Sequence, residues 1–188
     1  SAAGMPLLSP STNLDGRAYR WDAILGPTAG RAFGTHSAWA VALQHVVDGV
    51  VVFPGSAFVT LCFEALREVL GKLNGVQLTN IRFLRPLHLS APRRVRTLLL
   101  RSSDGASGTL QFTSVPVGEE GKEILHCTAT YSSSSSTATP AETVSVPAGA
   151  VAVEGVYERF HAIGFHYGPA FQASCCISDG MVASGVLP

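Results

Sequence analysis

The sequence predicts an α+β fold in which an antiparallel sheet wraps around one long central helix. Three observations carry that expectation: a single sustained helical period of apolar residues, several stretches that alternate apolar and polar, and glycine-bearing turns short enough to join neighbouring strands. With 188 residues the chain suits one medium domain or two small ones. Its 46% hydrophobic and 14% charged residues suit a large buried fraction.

Taken in order, residues 17–25 (RAYRWDAIL) alternate and predict a strand. Residues 45–58 (HVVDGVVVFPGSAF) are denser. The run from Val50 to Phe53 is apolar and β-branched, which predicts a buried strand or strand end, and Gly49 permits a tight bend before it. Pro54 suits a first helical position and Gly55 supplies φ freedom. Apolar residues then fall at Phe58, Leu61, Cys62, Ala65, Leu66, Val69 and Leu70, with Glu64, Arg67, Glu68 and Lys72 mainly opposite and Gly71 suited to the end. The predicted helix, 54–70, is about 25 Å long. Three further strands are predicted around residues 97–103, 109–115 and 123–132, separated by the turns SDGASG and VGEEGK.

Residues 132–149 are rich in Ser, Thr, Pro and Ala and lack an apolar period, which predicts a linker between a first unit, 1–131, and a second piece, 150–188. The second piece is too short for a core of its own, so it either packs onto the first or opens a second unit. Val153, Val156, Tyr157, Phe160 and Ile163 predict a short amphipathic helix stopped by Gly164. Two strand-like runs follow around the turn Ser178-Asp179-Gly180.

Thirteen basic and thirteen acidic residues cancel, which argues against nucleic acid or an anionic membrane as partner. Arg82, Arg85, Arg93, Arg94, Arg96 and Arg101 precede any acid in their region. They read as solvated positions or as a docking face for an acidic partner. Cys62, Cys127, Cys175 and Cys176 show no metal-ligand spacing and predict free thiols in a reducing, cytoplasmic setting. The longest apolar stretch is broken by Asp48, Pro54 and Gly55, so no membrane span is expected. No nucleophile elbow, phosphate loop or dinucleotide fingerprint is present.

His45 lies just before a buried strand that feeds a helix N-terminus. An imidazole there could serve as a neutral base, with helix N–H groups holding an oxygen that gains negative charge. A histidine between apolar residues also reads as a hydrogen-bonded structural residue, and both readings stand on pattern alone. His36, His88, His126, His161 and His166 read as surface or structural; His161 and His166 lack a third ligand for a metal.

Two motifs carry a resemblance. His45, Gly49 and Pro54 fit His-x-x-x-Gly-x-x-x-x-Pro. Gly164, Tyr167, Gly168, Pro169, Phe171 and Gln172 fit Gly-Tyr-x-Tyr-Gly-Pro-x-Phe-Gln, with Phe165 in place of the first Tyr. In their order and separation the chain resembles the dehydratase domains of modular polyketide synthases and animal-type fatty acid synthases. IRFLRPLHL (81–89) looks like the strand after the family's helix, and MPLL near the N-terminus looks like its opening without the usual His.

The resemblance implies a double hot-dog fold with the second half incomplete, and a site between the halves. It implies a hydro-lyase that removes water from a 3-hydroxyacyl thioester on an acyl carrier protein. His45 would take the α-proton, and the Gly55 N–H would face the enolate oxygen. Tyr167 would either donate to the leaving hydroxyl or simply close its loop. Pro169 would fix that loop, with Gly49 and Gly168 as backbone requirements. Val50 to Phe53 and Phe171 would line an acyl channel beside Pro54. The family's acid is an aspartate on the second half's helix after a Leu-Pro segment. The sequence reaches Leu187-Pro188, so that residue is expected beyond Pro188; neither Asp48 nor Asp179 takes the role. No metal and no cofactor are implied, because the phosphopantetheine arm arrives with the carrier. Other synthase domains and a second copy of the chain are the further partners implied. The alternatives are an inactive dehydratase-like scaffold, an enoyl isomerase, a thioesterase or a product-template cyclase.

Overall fold

The computed structural model describes residues 11–26, 41–119, 121–134, 151–152, 154–172, 174–177 and 183–186. Alternating sequences become the strands of one six-stranded antiparallel sheet: β1 (Thr12–Asn13), β2 (Ala18–Leu25), β5 (Val76–Phe83), β6 (Arg93–Arg101), β7 (Ser107–Pro116) and β8 (Ile124–Ser133), in the spatial order β1-β2-β6-β7-β8-β5. Between β2 and β5 the chain makes a small hairpin, β3 (His45–Val47) and β4 (Val50–Val51), and then helix α1 (Gly55–Leu70). After residue 150 come β9 (Val151–Ala152), α2 (Val156–Ala162), β10 (Phe165–Tyr167), a 3-10 turn (Pro169–Phe171), β11 (Ser174–Ile177) and β12 (Ala183–Val186). β10 joins the hairpin in the order β10-β3-β4, and β12-β11-β9 form a third sheet.

The core lies between the inner face of the large sheet and one side of α1. Phe58, Leu61, Cys62, Ala65 and Leu66 form the buried side of the helix, as the 3.6-residue period requires. Val95 and Leu99, Leu110 and Phe112, and Cys127, Ala129 and Tyr131 are the every-second-residue sets that meet it. Phe58 is edge-on to both Phe53 and Phe112, at centroid distances of 4.7 and 5.2 Å. Trp21, 1% exposed, donates from Nε1 to Glu68 Oε2 at 2.8 Å and ties β2 to the helix. Gly71 closes α1 at φ 74, in the left-handed region open to glycine, with its N–H on Arg67 O. An antiparallel sheet curled round a buried helix is the hot-dog arrangement.

Several expectations are corrected. Pro54 sits one residue before α1 as its cap (φ −66, ψ 145), not inside it. Only Val50–Val51 of the valine run is strand; Val52 pairs singly with His88. The strand after the helix starts at Val76 and ends at Phe83, whereas the sequence placed it at 81–89. Asn80, at φ 50, sits where the register slips between Thr79 and Arg82, and this bulge hides the alternation. Leu87 and Leu89 then run beside the helix approach: Phe53 N–H donates to Leu87 O and Leu89 N–H to Val51 O. β8 continues to Ser133, into the stretch read as linker, while 135–149 lie outside the described residues. So do His36, Val153 and Asp179.

Two of the clustered arginines are engaged by neighbouring side chains, while Arg82, Arg85 and Arg94 are exposed. Arg96 is held by Asp22 and Glu123, and Arg93 Nε donates to Ser114 Oγ at 2.8 Å. Cys62 and Cys127 are free and buried. Burial, helped for Cys62 by the nearby Cys127, pushes their thiols up to about 12 and about 11 respectively. No helix among the described residues is long and apolar enough to cross a membrane.

Candidate functional site

The site begins with the β3–β4 hairpin. Asp48 and Gly49 are its two loop residues, at φ 48 and φ 76. Two successive positive φ values are the signature of the turn that matches strand twist in a two-residue hairpin, and Asp-Gly is a preferred pair there. The hairpin brings His45 opposite Val52. Val52 N–H donates to His45 O at 3.0 Å, and the ring atom His45 Nδ1 lies 2.8 Å from Val52 O. A carbonyl oxygen only accepts, so Nδ1 carries the proton and, in the neutral ring, Nε2 keeps a free lone pair. The backbone next to the ring therefore sets its tautomer.

The second half supplies the other wall. β10 runs antiparallel to β3, with Phe165 opposite Val47, His166 opposite Val46 and Tyr167 opposite His45. Tyr167 stacks on the imidazole (centroids 5.0 Å, interplanar angle 22°), and Phe171 meets it edge-on at 5.4 Å. All three rings are half-buried. Asp48 N–H donates to Gly164 O at 2.7 Å, extending the ladder beyond β10. Gly164 has φ +92, and a Cβ there would fall 2.0 Å from Asp48 Oδ1. The Gln172 side chain donates to Tyr167 O at 2.7 Å and closes the segment on itself.

The helix start is reached three residues after Val52. Ala57 and Phe58 N–H groups both point at Pro54 O, and the amides of Gly55 and Ser56 have no acceptor among the described residues. They are the exposed donors expected of a helix N-terminus. Phe83, 57% exposed, lies over this turn, its ring 3.2 Å from where a Gly55 Cβ would sit.

The structure thus brings His45, Tyr167 and Phe171 into direct contact, with Gly49 in the turn that shapes the hairpin and Gly168 and Pro169 in the loop between the two aromatic rings. Pro54 and Gly55 are joined to His45 through Val52. Phe53 is 3% exposed and belongs to the main core against Phe58. One residue escaped the sequence reading. Gln44 O accepts from Gly168 N–H at 2.9 Å and Gln44 Oε1 from Ala170 N–H at 3.1 Å. Nothing in the sequence signals these long-range bonds. The tight bend expected at Gly49 is this Asp48-Gly49 hairpin turn, a pair flanked by valines.

Elsewhere, a polar groove on the outer face of the sheet, lined by Asn80, Arg82, Thr109, Gln111, Thr128 and Thr130, shares no residue with this cluster. His161 and His166 have ring centroids 3.7 Å apart, but no group of three His, Cys, Asp or Glu able to hold a metal occurs among the described residues.

A family described as polyketide synthase dehydratase domain matches residues 30–115, which include His45 and Pro54. Polyketide synthase GfsB of Streptomyces halstedii is 36% identical over 137 residues, 69% of this chain and 2% of that protein. Highly reducing polyketide synthase 17 of Metarhizium anisopliae is 29% identical over 166 residues, 77% of this chain and 5% of that protein. The chain therefore spans a small fraction of the curated relatives it matches. Among solved structures, a trans-AT PKS dehydratase domain from Brevibacillus brevis superposes with a TM-score of 0.73 at 26% identity, over 97% of this chain and 68% of that one.

Proposed function

Because this chain belongs to the polyketide synthase dehydratase family, we propose that it eliminates water from a 3-hydroxyacyl thioester carried on an acyl carrier protein, giving the α,β-unsaturated thioester. The observation that carries this reading is the Nδ1–H bond from His45 to Val52 O, which leaves Nε2 as a base beside Tyr167 and Phe171.

His45 Nε2 takes the α-proton, and the electron pair moves toward the thioester oxygen. The amides of Gly55 and Ser56 are suited to hold that oxygen as its charge grows. The pair then returns to form the Cα–Cβ double bond as the C–O bond to the β-hydroxyl breaks. Tyr167 is suited to donate to the departing oxygen, which leaves as water once an acid protonates it; no residue described is assigned as that acid. Val50 to Val52 and Phe171 supply apolar surface for the acyl chain, with Phe53 behind them in the core, and Gly49, Pro54, Gly168 and Pro169 fix the backbone around it. The chemistry draws on no cofactor, since the thioester itself acidifies the α-carbon. The acyl carrier protein, neighbouring synthase domains and a second copy of the chain are the partners this reading calls for.

The test is His45→Ala in the full-length protein, with a 3-hydroxyacyl thioester as substrate and loss of one water followed by mass. Loss of the base is expected to lower turnover by about 10²–10⁴-fold. Unchanged turnover in a folded variant rejects the reading.

A further inference from the structure

We infer that Gln44, the residue before the histidine, is a positioning residue that clamps the Tyr167–Phe171 wall onto His45; the inference rests on His45 being the base. The argument starts from the end of a strand. The β3–β10 ladder runs from Phe165 opposite Val47 to Tyr167 opposite His45, and the Gly168 N–H continues it onto Gln44 O at 2.9 Å. There it must stop. Pro169 has no N–H, and the chain turns into a single 3-10 turn, Pro169–Phe171. The next donor, Ala170 N–H, belongs to the first turn of that helix, where no helical carbonyl precedes it. Gln44 Oε1 takes it at 3.1 Å. One residue thus accepts twice, through its backbone and then through its side chain, and carries the pairing across the proline.

Gly168 bears the mark of the same arrangement. Its backbone (φ −72, ψ 172) is open to any L-residue, so conformation does not demand glycine. Space does: a Cβ there would sit 2.6 Å from Gln44 Oε1 and 2.7 Å from Gln44 Cβ. The glycine is where the Gln44 side chain passes. What the clamp holds is directly functional on the reading above. The residue after Ala170 is Phe171, edge-on to the imidazole, and the residue before Gly168 is Tyr167, stacked on it. Without the Ala170 bond the turn is held by its own bonds, Phe171 N–H to Gly168 O and Gln172 N–H to Pro169 O, which do not reach β3.

The experiment uses the full-length protein carrying Gln44→Leu, Gln44→Asn, Gln44→Glu, Gly168→Ala or, as control, His45→Ala. Leu keeps the volume without an acceptor, Asn keeps the amide one methylene short, and Glu keeps both reach and acceptor. Gln44→Leu, Gln44→Asn and Gly168→Ala are expected to lower kcat roughly ten- to a hundredfold with a much smaller rise in KM, since a displaced wall uncovers the base while Phe171 is only one part of the acyl surface. Gln44→Glu is expected to restore most of kcat. Independently of turnover, diethyl pyrocarbonate should modify His45 faster in the first three variants, read by mass mapping of the peptide. Wild-type kcat and wild-type labelling in Gln44→Asn, or a Gln44→Glu variant no better than Gln44→Leu, overturns the inference. If Gln44→Leu fails to fold, Gln44→Asn and Gly168→Ala decide. Turnover retained in His45→Ala rejects the base assignment instead, and with it the clamp's purpose.

Discussion

Replacing Gly164 by alanine tests how the two halves are joined at the site. Gly164 sits at φ +92 immediately before β10, and its carbonyl accepts from the Asp48 N–H at the tip of the opposing hairpin. An L-residue at that φ costs on the order of 1–2 kcal/mol. The new methyl would also fall 2.0 Å from Asp48 Oδ1, so the carboxylate must swing away or the strands must part. The cost is local to the β3–β10 ladder. Its readout is therefore amide exchange in the peptides covering 45–50 and 164–168. A penalty of about 1–2 kcal/mol should speed exchange there roughly 5- to 30-fold, while the long strands of the main sheet keep their protection. Asp48→Gly combined with Gly164→Ala removes the collision and keeps a turn residue suited to φ 48, so part of the protection should return. Exchange at wild-type rates in Gly164→Ala would refute the reasoning, because it would mean that neither the left-handed backbone nor the contact with Asp48 holds the seam.

Three other outcomes follow from the interior. Burial lowers the pKa of His126 from its usual 6.5, with Arg93 and Arg85 acting the same way, although hydrogen bonds to Arg85 and Pro86 oppose the shift. The unfolded chain then takes up a proton that the folded one resists. The neutral-histidine contribution is whole above about pH 6.5 and is lost as pH falls below it. Thermal melts from pH 7.5 to 5.5 should fall more steeply for wild type than for His126→Gln, and parallel slopes would exclude this. With their thiols pushed up to about 12 and 11, Cys62 and Cys127 should resist alkylation at pH 8 until denaturant is added, as peptide mapping would show; labelling of either in the native protein contradicts their burial. Leu66→Ala, at a position with no exposure, should cost about 2–5 kcal/mol in denaturant titration, and a cost under about 1 kcal/mol would place the core elsewhere.

What the sequence discloses follows the range of the interactions. The helix is legible almost to its ends because its apolar period and Gly71 are local signals, and β2, β7 and β8 because enough alternation survives along them. β5 is misplaced because Asn80 breaks its alternation, and Pro86 falls in a connection rather than a strand. His45 stands out by its motif, but the tautomer of its ring depends on Val52 O, and that bond exists only once the hairpin has closed. Gln44 is illegible for a stronger reason. Its partner lies 126 residues away, and a glutamine beside a histidine carries no pattern of its own.

The pairing of β3 with β10 has a kinetic consequence. A three-residue strand holds Tyr167 against the imidazole, whereas the strands around the core run to ten residues. Free energies of opening scale with what must be undone, so this seam can breathe apart while the six-stranded sheet stays intact. Each such excursion lifts the Tyr167 ring from the imidazole and exposes it to water. On the proposed reaction, the competent fraction would be the fraction of time the short ladder is shut, a quantity that solvent, temperature or a docked neighbour can tune without touching His45 itself.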